Sequence, residues 1–280
     1  MPDLKIYKSE SRAGARLLAR LMRRGDGVLD SALVGKTRRI VRDVRDRGDK
    51  GLLAAARKFD GVKARSVSEL RLVPKRTDRR QLPAGFENAL ERAIAAVERY
   101  HEAQKHDGEE LAHGGIVLTE KRQALRRAGL YVPGGRATYP SSVVMSVIPA
   151  RLAGVEEIVV TTPMAGFTRS AALRHTLERL GVKEVWAIGG AHAVAAMAYG
   201  TETIRQVDKI VGPGNAWVTA AKYLVSTDVA IDGLAGPSEV VIGATGDDVD
   251  PAWMAADLLA QAEHDPMAMS VLVTDRASLA

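Results

Sequence analysis

From Leu130 onward, short apolar runs alternate with helical segments, and this alternation constrains the fold more than any other feature. GLYV is followed by SSVVMSVIPARLAG, EEIVVTTP by SAALRHTLERLG, EVWAIGG by AHAVAAMAYG, and VDKIVGPG by NAWVTAAKYLVS and VAIDG. The strand candidates recur roughly every 25 residues, which leaves room for a crossover helix between them. The expected fold is therefore α/β, with a mostly parallel sheet covered by helices. SEVVIGA, PAWMAADLLAQAEH and SVLVTD predict a further strand, helix and strand near residue 280.

Upstream the periodicity is helical. TRRIVRDVRDRGDKGLLAAARKFDG carries apolar residues at spacings of three and four and stops at Gly61. ELRLVP reads as a short strand ending at Pro74. GFENALERAIAAVERYHEAQKH reads as an amphipathic helix, and GIVLTEKRQALRRAG as a hairpin or a pair of edge strands. With 280 residues, 46% of them hydrophobic, the chain can bury a substantial core in one or two domains.

Composition excludes several functions. Cysteine is absent, which removes disulfides, thiolate zinc sites and cysteine nucleophiles, and fits a reducing cytoplasm. MPDLKIYKSESR has no apolar h-region, and no run of about 18 apolar residues could span a bilayer, so neither a secretory leader nor a membrane partner is expected. Residues 1–130 hold 30 Lys and Arg against 18 Asp and Glu, whereas residues 131–280 hold 10 against 16. A basic half can serve nucleic acid. Here the basic residues alternate with acids and apolar residues at helical spacing, and aromatics make up only 4%, so solvated helix faces are expected instead.

Three glycine turns follow predicted strands: Gly134-Gly135 after LYV, Gly189-Gly190 after VWAI, and Gly212-Pro213-Gly214-Asn215 after KIV. A strand, a glycine turn and a helix start place backbone N–H groups and the positive helix end near a ligand. None is a full G-x-G-x-x-G, since GPGNAW has Trp217 at the third glycine position, and each alone reads first as a plain βα turn. Three in one sheet bring nucleotide or phosphate binding level with that reading. Pro237-Ser238-Glu239 reads locally as a Gly-Pro turn entering a strand. Gln261 and His264, at i and i+3, project from one helix face and could share a metal ion. Two ligands do not complete a zinc site, and on local grounds His264 reads first as a helix-end residue favourable to the dipole. HEAQKH, from His101 to His106, is one residue too long for the H-E-x-x-H metal motif.

Taken in order, LYVPGGRATYPSSVVMSVIPARLAGV (130–155), IGGAHAVAAMAYGTE (188–202), VDKIVGPGNAWVTAAK (207–222), IDGLAGPSEVV (231–241) and DLLAQAEHDPMA (257–268) resemble histidinol dehydrogenases. The resemblance covers essentially the whole chain, weakly over residues 1–127, and about the first two-thirds of the family's length. It implies oxidation of L-histidinol to L-histidine by way of the aldehyde, in histidine biosynthesis, by a cytoplasmic homodimer that contains zinc and uses two NAD molecules in succession. It implies that Tyr131 and Asn215 contact NAD. The family's third such position usually carries Gln where this sequence has His192, which can supply one amide hydrogen bond but not both donor and acceptor in the same geometry. Ser238 corresponds to a substrate-contacting serine, and Gln261 and His264 to two zinc ligands that also face the substrate.

The family's catalytic Glu-His pair, within a P-E-H-L motif, and its remaining zinc ligands belong to later sequence. No P-E-H occurs here, so no catalytic residue is assigned in this chain and a truncated product is expected. The expected organisation is an arm over residues 1–24, a Rossmann-like NAD-binding domain over 131–239, and a first, incomplete α/β domain from 25–130 and 240–280. The alternatives are a non-catalytic dinucleotide-binding module and a related dehydrogenase of another alcohol, such as a sulfonated diol.

Overall fold

A computed structural model describes residues 5–22, 29–74, 77–134, 139–234, 239–246, 249–263 and 268–279. Contacts divide the chain into two compact units, Ser31–Leu234 and Met1–Asp30 with Ala235–Ala280.

The larger unit begins with helix α2 (Ser31–Ala55), preceded in the chain by α1 (Arg12–Met22) of the smaller unit. α2 is kinked at Gly48 and runs into a π-turn, Ala56–Asp60, that Gly61 ends in the left-handed conformation. Strand β1 (Arg71–Leu72) and helix α3 (Phe86–Glu102) follow where the sequence predicts them, and then the hairpin β2–β3 (Glu110–His113, Ile116–Thr119), of which only β3 lies within the predicted segment 115–129. The βα series is β4 (Arg127–Tyr131), α4 (Pro140–Leu152), β5 (Glu157–Thr161), α5 (Met164–Arg169), α6 (Ala171–Arg179), β6 (Glu184–Trp186), α7 (Gly190–Tyr199), β7 (Lys209–Val211), α8 (Ala216–Val225) and β8 (Ala230–Ile231).

These strands form one sheet in the order β1-β6-β5-β4-β7-β8, parallel throughout except for β1, which runs antiparallel on the β6 edge. Chain order thus moves outward from β4 through β5 to β6, then returns to the other side of β4 for β7 and β8. With right-handed crossovers, that reversal puts α4 and α6 on one face and α7 and α8 on the other. α3 packs on α4, and α2 packs on both α7 and α8. Burial on both faces explains why Leu130, Val159, Val160, Val185 and Ile210 are all fully inaccessible and why the strands read as unbroken apolar runs.

α7 is buried on nearly every side, and its alanines let it approach the sheet closely. At Gly129 of β4 a Cβ would lie 2.6 Å from Met197 Sδ of α7 and 3.1 Å from Val207 Cγ2. Gly129→Ala should lower stability by about 1–3 kcal/mol through overpacking. An unchanged denaturation midpoint would show that the helix can withdraw at no cost.

The contacts group the chain differently from the division expected from sequence. Residues 31–130 supply an edge strand and two covering helices to the same sheet and core as residues 131–234, with Val44, Leu52 and Leu70 of the first stretch buried in one cluster with Leu130 and Val194 of the second. The smaller unit contains strand β9 (Glu239–Ala244), helix α9 (Pro251–Ala262) and strand β10 (Met269–Thr274), a parallel βαβ unit where the sequence predicts strand, helix and strand. Asp250 caps α9 by accepting from the Ala252 N–H at 2.8 Å.

Candidate functional site

In an open parallel sheet, ligands settle where the chain reverses direction across the sheet, at the carboxyl ends of the strands. Here that point lies between β4 and β7. Tyr131 is the last residue of β4, and Asn215 caps α8 just after β7. His192 lies in the first turn of α7, after β6. The structure therefore brings these three predicted residues to the same end of one sheet.

Each has a distinct environment. Asn215 is exposed, and its side-chain oxygen accepts from the Trp217 and Val218 N–H groups at 3.1 and 3.2 Å, which leaves the amide NH2 to face a ligand. Tyr131 is buried, and its hydroxyl accepts from the Gly190 N–H at 3.1 Å. Burial pushes that hydroxyl up to about 12, with the Asp60 charge adding to the rise and the Gly190 bond opposing it. Tyr131 is thus a neutral hydroxyl at ordinary pH, with its own proton to donate. His192 is only 1% exposed; its Nε2 lies 2.8 Å from Asp60 Oδ2, and Phe59 stacks on the ring at 6.1 Å.

The glycine turns differ from expectation in one respect. Three of their amides are not free donors. The Gly189 N–H donates to Asp60 Oδ2 at 3.0 Å, the Gly190 N–H to Tyr131, and the Gly212 N–H to Asp232 Oδ2 at 2.8 Å. Buried N–H groups must be satisfied, and the fold uses side chains to do it. Asp232 is itself held by Lys222, a lysine 3% exposed whose Nζ donates to Asp232 Oδ1 at 2.6 Å and to the Gly212 carbonyl at 2.5 Å. At this end of the sheet Asn215 is exposed, whereas the Tyr131 hydroxyl is buried.

Asp60, Lys222 and Asp232 escape a reading of the sequence. The one signal for Lys222 is a lone charge in the otherwise apolar run NAWVTAAKYLV. Asp60 offers none, because it sits 132 residues before His192.

In the smaller unit Gln261 falls in the last turn of α9, partly buried and already engaged with the rest of the chain. Ser238 and His264 lie outside the described residues. Among the described residues no group of three or more His, Asp and Glu is placed to hold a metal ion. No described helix is long and apolar enough to cross a membrane.

Two open clefts of about 840 and 580 Å³ lie elsewhere, along α2 and the ends of α7 and α8. They share Arg45, Asp46 and Tyr199 and sit at the amino ends of the strands, away from the reversal point.

The family model for histidinol dehydrogenase matches residues 26–280. Histidinol dehydrogenase of Cupriavidus pinatubonensis is 45% identical over 256 residues, which is 87% of this chain and 56% of that protein. That of Ralstonia nicotianae is 47% identical over 256 residues, 87% of this chain and 57% of that protein. The crystal structure of histidinol dehydrogenase from Elizabethkingia anophelis superposes with a TM-score of 0.76 at 32% identity, covering 88% of this chain and 57% of that one. The chain thus spans somewhat over half the length of the relatives it matches, less than the two-thirds expected from its motifs. A match across nearly all its residues, on a sheet that reverses at Tyr131 and Asn215, places the chain in the histidinol dehydrogenase family.

Proposed function

We propose that this chain carries the dinucleotide-binding part of a cytoplasmic, homodimeric histidinol dehydrogenase, which oxidises L-histidinol to L-histidine through the aldehyde in two NAD-dependent steps. The observation that carries the reading is the position of Tyr131 and Asn215 on either side of the sheet's reversal point. NAD would supply the hydride chemistry, and the chain's task is to hold and orient it. The Asn215 NH2 group and the Tyr131 hydroxyl are donors suited to its phosphate and ribose oxygens, and His192 borders the same crevice.

The described residues do not by themselves make a zinc site, since a structural or catalytic zinc takes at least three protein ligands. We propose Gln261 and His264 as two of its ligands and Ser238 as a substrate contact, by family resemblance. The further donors must come from outside the described residues.

Asn215→Asp separates binding from folding. Aspartate is as good a helix cap as asparagine, but it replaces the NH2 donors with an anionic oxygen. Titration of NAD, followed by the fluorescence of the adjacent Trp217, should show binding by the wild type and about tenfold or greater weakening in the variant, at an unchanged melting temperature. Equal affinity in both would remove Asn215 from the site. Production of NADH from histidinol by the same sample then separates a turning-over enzyme from a binding module.

A further inference from the structure

Asp60 stands at the end of the π-turn, brought in from the N-terminal part of the larger unit to the carboxyl end of β6. One of its oxygens, Oδ2, receives both the His192 Nε2 contact at 2.8 Å and the Gly189 N–H at 3.0 Å. Its side chain is 11% exposed and that of His192 2%. Because a carboxylate accepts only, the neutral imidazole must carry its proton on Nε2, which leaves Nδ1 as an acceptor. Phe59 covers one face of the ring. The remaining Cε1–Nδ1 edge lies beside Gly190, 3.7 Å from where a Cβ on that residue would be. Gly190 in turn is half-buried and tied to Tyr131.

We propose that Asp60 is a positioning residue of the cofactor crevice, whose carboxylate fixes the Nε2–H tautomer of His192 and the Gly189–Gly190 turn together, so that the ring offers Nδ1 to a bound dinucleotide. The proposal rests on the reading that this crevice takes NAD. An imidazole held by a buried carboxylate presents a fixed acceptor. Tyr131, His192 and Gly190 then move as one group, joined through Asp60 and the turn.

The test combines two measurements on Asp60→Ala and Asp60→Asn. The chain has six histidines, so a ¹⁵N-histidine sample resolves the tautomer of each by long-range ¹H–¹⁵N correlation. The wild type should show the Nε2–H form at His192. Asp60→Ala should lose that preference and weaken NAD binding about tenfold or more, while Asp60→Asn, which keeps an acceptor oxygen, should restore most of both. If the wild type binds NAD and Asp60→Ala binds it equally, or if the His192 tautomer is indifferent to Asp60, the proposal is overturned. If the wild type itself binds no NAD, it is the reading of the crevice that fails.

Discussion

Gly212→Ala should be among the most damaging single substitutions in the protein. Gly212 has φ +117°, a conformation that side-chain-bearing residues rarely adopt, and a Cβ there would lie 2.1 Å from the Tyr131 carbonyl oxygen and 3.0 Å from its carbon. Both obstacles are backbone atoms of the central strand, so neither can swing aside. The conformation alone costs about 1–3 kcal/mol, and forcing apart the turn and strand about 1–3 kcal/mol more. Because Asn215 follows three residues later and Lys222 anchors the same turn, the loss should reach function too. NAD binding should fall in parallel with the denaturation midpoint. Gly85→Ala is the control. Gly85 has φ +74° but open space around it, so it should cost only the conformational part, about 1–2 kcal/mol. Equal losses at the two positions would mean that close approach of β4 and β7 matters little.

The second large effect belongs to Arg127, at the opposite end of the strands. Its guanidinium is 6% exposed and donates to Glu184 at 2.7 and 2.9 Å and to Glu157 at 2.8 Å. Glu157 also pairs with Arg205, so the loss of Arg127 falls mainly on Glu184, whose side chain is 20% exposed. Arg127→Met should cost about 2–4 kcal/mol, because it leaves a half-buried carboxylate with only the Trp186 N–H as a donor. The pH dependence gives a sharper signature. Burial pushes the Glu184 carboxyl up, but the Arg127 and Trp186 bonds and the Arg127 charge more than offset it, so it lies below the ordinary 4.5. Glu157 is lowered too, first by its bond to Arg205 and then by Arg127. A carboxyl lowered in the folded state adds stability above its unfolded value and loses it as pH falls through its folded value. Wild-type stability should therefore decline in acid below about pH 4.5. In Arg127→Met burial acts on Glu184 against only the Trp186 bond and the Arg71 charge, so protonation relieves the variant. Its deficit relative to wild type should shrink on acidification, and parallel curves would contradict this account.

The sequence makes the kinds of elements plain and leaves their arrangement obscure. Apolar runs separated by helical stretches predict a parallel sheet, and the strands at Leu130, Val159, Val185 and Ile210 lie where that pattern puts them. Strand order is another matter, since it depends on pairings between residues far apart. Nothing local says that Arg71–Leu72 joins β6, or that α2 closes the face formed by α7 and α8. That is why residues 31–130 read as another domain when they share the core. The same limit governs the site. Tyr131, His192 and Asn215 are found through the family resemblance, in segments where a strand meets a glycine turn. Asp60 and Asp232, which accept from the amides of those turns, and Lys222, which donates to Asp232 and to the Gly212 carbonyl, come from elsewhere in the chain and leave no motif. The amides of Gly189, Gly190 and Gly212 are taken up because sequence shows where a turn exposes N–H groups but not which distant side chain satisfies them.

The central claim is that a dinucleotide binds where the sheet reverses between β4 and β7. A crystal structure of the protein with NAD tests it most directly. The cofactor should lie across the carboxyl ends of these two strands, with the Asn215 amide and the Tyr131 hydroxyl in contact with it. NAD found instead in the Arg45–Tyr199 cleft at the far end of the strands would contradict the claim.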